Sequence, residues 1–207
     1  MSETAPLTFR GQAWARWCLQ RLGWTLLEAD LPGPRGIIVA YPHTSNWDFP
    51  IAMLTKWALG WPLRFWVKDS LFRWPLFGTW LRWIGGVPVR RDSPQGLVQE
   101  TVAAMQAAPF FWLALAPEGT RALTPGWRMG FYHLWVASGY PLAIGVMDWA
   151  NKTIGVKSFL NASGDVEQDF LRIAAEVGEV RGHTPDNGSP IEPWQRPAPE
   201  QEGINHE

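Results

Sequence analysis

The sequence predicts an α/β fold, a layered mixed sheet flanked by helices, and two observations support this fold class. Short apolar runs of strand length, such as 36–41, 110–116 and 141–147, alternate with longer segments of helical periodicity. Hydrophobic residues make up 46% of the 207 residues and charged residues only 18%, against a usual ~25%, which excludes disorder for most of the chain. A chain of this length is expected to form one well-buried domain.

Three regions are predicted along the chain. Residues 1–35 are expected to form an amphipathic, interfacial helix over 9–27 and a turn. Residues 36–181 form the predicted core domain, and residues 182–207, which are rich in Pro, Glu, Asn and Gly, form a poorly ordered tail. Within the core domain, strands are predicted at 36–41, 63–68, 87–91, 110–116, 141–147 and 152–156, and helices at 49–59, 71–83, 96–107, 129–138 and 167–177.

Tryptophan is over-represented, and most of the tryptophans lie in the basic part of the chain. Residues 1–135 contain 13 of the 15 tryptophans and carry 13 Lys and Arg against 8 Asp and Glu. Indole rings mixed with arginine are typical of the membrane–water interface, where the ring lies at headgroup depth and the guanidinium meets lipid phosphate. We therefore expect a peripheral protein at the cytoplasmic face of a membrane, docked through residues such as Trp14 and Trp17.

The tryptophans also fit a protein core, which would account for about half of them, or stacking on single-stranded nucleic acid. No recognisable nucleic-acid motif accompanies them, and the net charge of −1 gives no overall attraction, so a nucleic-acid partner is not expected. No apolar run approaches the ~18–20 residues of a spanning helix, and residues 1–10 lack the apolar segment of a signal peptide.

Polar loops follow two of the predicted strands, at residues 43–48 and 117–121. In α/β sheets the reactive loops collect at the carboxyl ends of strands, so these two loops are expected to converge. His43 and Asp48 stand out in the first loop, because the carboxylate can hold one imidazole nitrogen and leave the other free as a general base. The pair corresponds to the base and the orienting group of a catalytic triad.

A protein nucleophile that would complete such a triad is not apparent. The sequence contains no Gly-x-Ser-x-Gly motif, Cys18 lies far upstream, and Ser45 is more typical of a loop or capping residue. A metal site is not expected either, since the loop offers two ligands where three or four are usual, and one cysteine excludes a multi-cysteine zinc site. The arrangement favours deprotonation of a hydroxyl that belongs to a substrate.

Companion segments extend the His-x4-Asp pair into a longer pattern. Pro-Glu-Gly-Thr-Arg at 117–121 follows a predicted buried strand, Gly-Val-Pro-Val-Arg-Arg at 86–91 precedes a helix, and Gly-Tyr-Pro-Leu-Ala-Ile at 139–144 comes later. In this order and spacing the segments resemble the phospholipid and glycerol acyltransferase family, which includes the lysophosphatidic acid acyltransferases. The resemblance covers about residues 36–148 and implies a glycerol-3-phosphate acyltransferase-like core.

The resemblance implies a role for each matching residue. His43 would take the proton from an acceptor hydroxyl, Asp48 would hold and polarise His43, and the hydroxyl would attack the thioester of acyl-CoA or acyl carrier protein without a covalent acyl-enzyme. Backbone amides near Gly119 are candidate donors to the developing oxyanion. The residues expected to bind the acceptor, and its phosphate in particular, are Arg91, Arg90, Glu118, Gly119, Thr120 and Arg121. No bound metal or cofactor is implied.

Several assignments stay open at this stage. The acceptor is lysophosphatidate, another lysophospholipid or an aminolipid such as a lyso-ornithine lipid, because the segments depart from the common family pattern at Ala116 and Pro88. Glu118 and Arg121 are alternatively a structural ion pair. The rival functions are a hydrolase of lipid esters or thioesters that depends on His43, and a non-catalytic lipid-binding protein in which His43 is dispensable.

Overall fold

The computed structural model of the protein describes residues 7–89 and 96–195. Its α-helices are α1 (Ala13–Arg21), α2 (Asp48–Leu59), α3 (Pro75–Trp83), α4 (Leu97–Ala107), α5 (Gly130–Ser138) and α6 (Val166–Val177). Its strands are β1 (Thr25–Leu27), β2 (Arg35–Tyr41), β3 (Arg64–Lys68), β4 (Gly86–Val89), β5 (Phe111–Leu115), β6 (Trp127–Arg128), β7 (Leu142–Asp148), β8 (Thr153–Leu160) and β9 (Pro193–Trp194). A 3₁₀ helix, Asp69–Arg73, precedes α3 and accounts for the start of the helix predicted over 71–83.

The strands form a mixed sheet with the order β1-β8-β7-β2-β5-β3-β4, which makes seven strands within the described residues. β2 lies in the middle and pairs in parallel with β5 and β7, whereas β7 and β8 form an antiparallel pair. Because β2, β5 and β7 run in the same direction, their carboxyl ends at Tyr41, Leu115 and Asp148 lie along one edge of the sheet. The predicted mixed α/β fold is confirmed, and both predicted polar loops leave this edge.

Helices cover both faces of the sheet, because successive side chains along a strand point to opposite faces. Ile37 and Val39 of β2 pack with residues of α4, α5 and α6 in one buried cluster. Ile38 packs on the opposite face with Leu59 at the end of α2. On that second face α1 and α3 both pack against α2, so the three N-terminal helices share one side of the molecule.

The N-terminal helix is shorter than predicted. α1 ends early because Gly23 adopts a left-handed conformation with φ of 78°, which terminates a helix. The residues that follow, Thr25–Leu27, pair in parallel with β8 at the edge of the sheet, so the prediction of a helix over 9–27 is wrong in its second half. No helix in the described part of the chain is long and apolar enough to cross a membrane.

Part of the predicted poorly ordered tail is packed against the core. Ser189 is fully buried, its carbonyl accepts a hydrogen bond from Tyr41 Oη at 3.0 Å, and β9 pairs with β6. The prediction is wrong for residues 182–195 because this segment has no hydrophobic period and is held instead by hydrogen bonds to polar groups of the core. The rest of the predicted tail, residues 196–207, lies outside the described residues.

Candidate active site

The first predicted loop brings His43 and Asp48 together. His43 lies two residues beyond the end of β2 and Asp48 begins α2, so the loop between them folds back on itself. His43 Nδ1 lies 3.1 Å from Asp48 Oδ2, and 29% of the His43 side chain is exposed. Because an ionised carboxylate only accepts hydrogen bonds, Nδ1 carries the proton and Nε2 keeps a free lone pair.

Asp48 is buried and held by hydrogen bonds to both oxygens. Oδ2 also accepts from the N–H groups of Thr44 and Ser45, at 2.8 and 2.9 Å, and Oδ1 accepts from Trp149 Nε1 at 2.9 Å. Burial by itself raises the pKa of this carboxyl, but the hydrogen bonds from His43, Ser45 and Trp149 outweigh burial and hold the pKa below its ordinary value. Asp48 therefore stays ionised, as a group that orients His43 must.

Glu118 supports the His43 loop from the protein interior. It is fully buried, and its Oε2 accepts from the His43 N–H at 2.7 Å while Oε1 accepts from the Ser189 N–H at a longer 3.4 Å. Burial raises the pKa of Glu118 to about 7, against the lowering effect of these two N–H donors, and the charge of Asp48 adds to the increase. This geometry does not agree with the predicted substrate contact, and within the described residues no ion pair joins Glu118 to Arg121.

Three residues of the second predicted loop lie beside the base. Gly119, Thr120 and Arg121 line the same cavity as His43, and the Arg121 side chain is exposed. Two further residues that the sequence predicts to bind substrate, Arg90 and Arg91, lie outside the described residues. The structure thus brings three of the predicted binding residues to the His43 loop.

Gly119 is required by the close approach of an arginine. It has a left-handed φ of 68°, and a Cβ at this position would lie 2.7 Å from Arg128 Cδ. Its N–H donates to the Ala116 carbonyl at 3.1 Å, so this amide is already used and is not the predicted oxyanion donor. Arg128 lines the cavity and is absent from the predicted site, because no motif contains it.

A cavity of about 600 Å³ extends from the two loops into the apolar interior. Its lining follows α2 from Asp48 to Leu59, a stretch of ~16 Å at a rise of about 1.5 Å per residue, and continues over Phe65 of β3. Most of its polar side chains come from the loops. Lys56 is an exception along α2: its Nζ donates to the Ile84 carbonyl, and burial lowers its pKa.

Residues beyond the predicted motifs also reach the site. Trp149, in the turn after β7, hydrogen-bonds Asp48, and the His183 ring packs edge-on against it with centroids 4.6 Å apart. The Thr184 N–H donates to Thr44 Oγ1 at 3.1 Å. Sequence reasoning missed these contacts because each one joins the loop to a segment distant in the chain, and no local pattern marks them.

The arrangement can remove a proton from a hydroxyl placed at His43 Nε2, and Asp48 then stabilises the imidazolium. Ser45 has the structural role predicted for it, since its N–H donates to Asp48 and its Oγ accepts from the Trp47 N–H at 3.2 Å. Across residues 7–89 and 96–195, no three His, Cys, Asp or Glu side chains are grouped so that they could hold a metal ion.

The model of the Acyltransferase family matches residues 27–144, which is more than half of the chain, and the chain belongs to this family. The matched range contains the His43 loop and residues 117–121 and ends before Trp149. The activity of the protein is accordingly acyl-group transfer.

The fold is shared with the crystal structure of the 1-acyl-sn-glycerophosphate (LPA) acyltransferase PlsC from Thermotoga maritima. The two structures align with a TM-score of 0.51 and 18% sequence identity, over 78% of this chain and 72% of that chain. No curated protein matches the chain significantly.

Proposed function

We propose that this acyltransferase moves a fatty acyl group from acyl-CoA or acyl carrier protein to a hydroxyl of a lysophospholipid or related lysolipid at a membrane surface. The observation that carries the proposal is the His43–Asp48 pair at the polar end of an apolar cavity. A fatty acyl chain requires apolar room, and the hydroxyl that receives it requires a base beside that room. Because the structurally similar PlsC is a 1-acyl-sn-glycerophosphate acyltransferase, 1-acylglycerol-3-phosphate is the first acceptor to test.

In the proposed reaction, His43 Nε2 takes the proton of the acceptor hydroxyl while the hydroxyl oxygen bonds to the thioester carbonyl carbon. The carbonyl oxygen gains the displaced electron pair. Collapse of this tetrahedral intermediate breaks the carbon–sulfur bond, and the imidazolium returns the proton to the departing thiolate. Asp48 stabilises the imidazolium throughout. The products are an acyl ester and a free thiol, and the mechanism uses neither an acyl-enzyme nor a bound cofactor.

Arginines beside the base are the proposed contacts for the acceptor phosphate. Arg121 and Arg128 both line the cavity together with His43, and guanidinium groups bind phosphate oxygens in pairs. Arg90 and Arg91 remain proposed contacts from the sequence pattern. This cationic rim supports an acceptor that carries a phosphate more strongly than a neutral one.

The side of the molecule that carries α1, α2 and α3 is the proposed membrane contact. Its most exposed apolar side chains are Leu76 at 90%, Trp83 at 77% and Trp74 at 71%. The other exposed large apolar side chains in this half of the chain are Trp14, Trp17, Leu22, Trp47, Leu71, Phe77 and Trp80. Arg73 and Arg82 are exposed among them, so the surface offers rings to the headgroup region and guanidinium groups to lipid phosphate.

Replacing Trp74 and Trp83 together by Ala is expected to lower binding to phosphatidylglycerol-containing vesicles by at least about tenfold, because each indole buries ~150–250 Å² on insertion. The pair Trp14 and Trp17, replaced in the same way, is expected to weaken binding too. Leu171→Ala is the matched control, since Leu171 is 67% exposed on α6, on the other side of the sheet. Vesicle sedimentation measures the effect, and equal binding by all variants would exclude docking through this face.

A mass-spectrometric assay tests the acyl transfer itself. The purified protein is incubated with palmitoyl-CoA, and separately with palmitoyl-acyl carrier protein, in the presence of lysophosphatidate, other lysophospholipids and a lyso-ornithine lipid. The same mixtures are run with His43→Ala. We expect a new ester product that depends on His43, and the acceptor that yields it identifies the substrate class.

Two outcomes of this assay contradict the proposal. Free fatty acid that depends on His43, with every acceptor left unacylated, identifies a hydrolase. The absence of any product with both donors identifies a lipid-binding protein without catalysis on these substrates.

A further inference from the structure

We infer that Trp149 is a positioning residue for the His43–Asp48 pair, an inference that rests on the proposed function of that pair. Trp149 lies in the turn between β7 and β8, beyond the residues that the family model matches. Its Nε1 donates to Asp48 Oδ1 at 2.9 Å. Within the described residues the other donors, Thr44 N, Ser45 N and His43 Nδ1, all reach Oδ2, so Oδ1 depends on Trp149.

The bond to Oδ1 sets the rotation of the Asp48 carboxylate. Hydrogen bonds to one oxygen alone leave the group able to turn about its Cβ–Cγ bond, because this torsion has broad preferences. A donor on the second oxygen holds the carboxylate plane, and Oδ2 then stays aimed at His43 Nδ1. The separation of these two atoms is already 3.1 Å, near the upper end for a hydrogen bond, so a small rotation is enough to break it.

Trp149 can act as a precise donor because its own ring is held on several sides. The rings of Trp24 and His183 pack edge-on against it, with centroids 5.0 and 4.6 Å away, and Lys152 Nζ lies 4.4 Å from its centroid. Its backbone N–H donates to the Arg181 carbonyl at 2.8 Å. The turn after α1 and the segment after residue 181 therefore both help to hold the donor that orients Asp48.

Trp149→Phe separates the hydrogen bond from the packing, because it removes the N–H and keeps an aromatic ring. We expect kcat to fall about tenfold, as the loss of a hydrogen bond to a charged group predicts. The KM values for both substrates should stay unchanged, because Trp149 does not line the cavity. Trp135→Phe is the matched control: it removes the N–H of a fully buried indole on α5, on the opposite face of the sheet, and should leave kcat unchanged.

The proton resonance of His43 Nδ1–H provides a readout that does not require activity. A hydrogen bond to the carboxylate moves this resonance downfield, and its weakening moves the resonance upfield or broadens it by exchange with water. We expect this change in Trp149→Phe and not in Trp135→Phe. If wild-type protein shows no acyl transfer but the resonance changes as expected, the proposed function fails and the positioning of His43 by Trp149 stands.

Three results overturn the inference. An unchanged resonance together with an unchanged kcat in Trp149→Phe shows that Trp149 only fills space. A raised KM with kcat preserved assigns Trp149 to substrate binding instead. If the variant does not fold, hydrogen exchange of the Trp149 indole is measured in the wild-type protein, and exchange as fast as that of the exposed Trp17 indole excludes the bond to Asp48.

Discussion

Replacing His43 with Ala is expected to lower kcat for acyl transfer by ~10²–10⁴-fold, the range that a positioned general base contributes. Without the imidazole, the acceptor hydroxyl has to lose its proton to water. The loop itself should remain in place, because Glu118 and Asp48 hold it through backbone N–H groups that the substitution does not touch. The KM for the acyl donor should change little, since the apolar lining of the cavity is intact. Initial rates of thiol release measure both quantities.

His133→Ala is the control for the loss of a histidine, since His133 is exposed on α5 and lies outside the cavity. Its kcat should equal that of the wild-type protein. Retention of more than a tenth of the wild-type kcat by His43→Ala would remove His43 from the role of general base.

Replacing Glu118 with Gln is expected to change how the free energy of unfolding depends on pH. The pKa of Glu118 is raised from an ordinary 4.5 to about 7 in the folded protein, because the carboxyl is buried. Between these two values the unfolded chain releases the proton and the folded protein keeps it, so wild-type stability falls as the pH rises through this window and then levels off. The difference between the two pKa values, about 2.5, corresponds to about 3 kcal/mol.

Glu118→Gln cannot titrate, so its free energy of unfolding relative to the wild-type protein should rise by about 3 kcal/mol from pH 4.5 to 7 and stay constant above that range. Urea unfolding at a series of pH values measures this difference. Glu100→Gln, at an exposed position on α4, controls for the chemistry of the substitution. A pH-independent difference between Glu118→Gln and wild type would show that Glu118 is ionised in the folded protein across the whole window.

The elements of the core domain could be predicted from sequence because each depends on neighbouring residues. Alternating or continuous apolar runs of five to eight residues lie in the sheet, and the segments of helical period pack against it. The exceptions have local reasons. Gly23 stops α1 and sends the next residues to the sheet edge, and the segment after residue 181 has no period that marks it as packed.

The proximity of His43 and Asp48 could also be predicted, since a five-residue spacing at the end of a strand allows the two side chains to meet. The role of Glu118 could not. In the sequence it belongs to a loop that resembles a substrate-binding motif, whereas in the structure its carboxylate points inward to the N–H groups of His43 and Ser189. Which way a loop side chain points depends on what packs above and below it.

Sequence separation explains where prediction stopped. The periodicity of the elements and the His-x4-Asp spacing are carried by residues near one another in the chain, and they establish the fold class and the base. The groups that hold the base in position come from far away: Trp149 is 101 residues from Asp48, and Ser189 is 71 residues from Glu118. These contacts follow from the order of strands in the sheet and from the packing of the C-terminal segment over the site, and both arise from the folding of the whole chain.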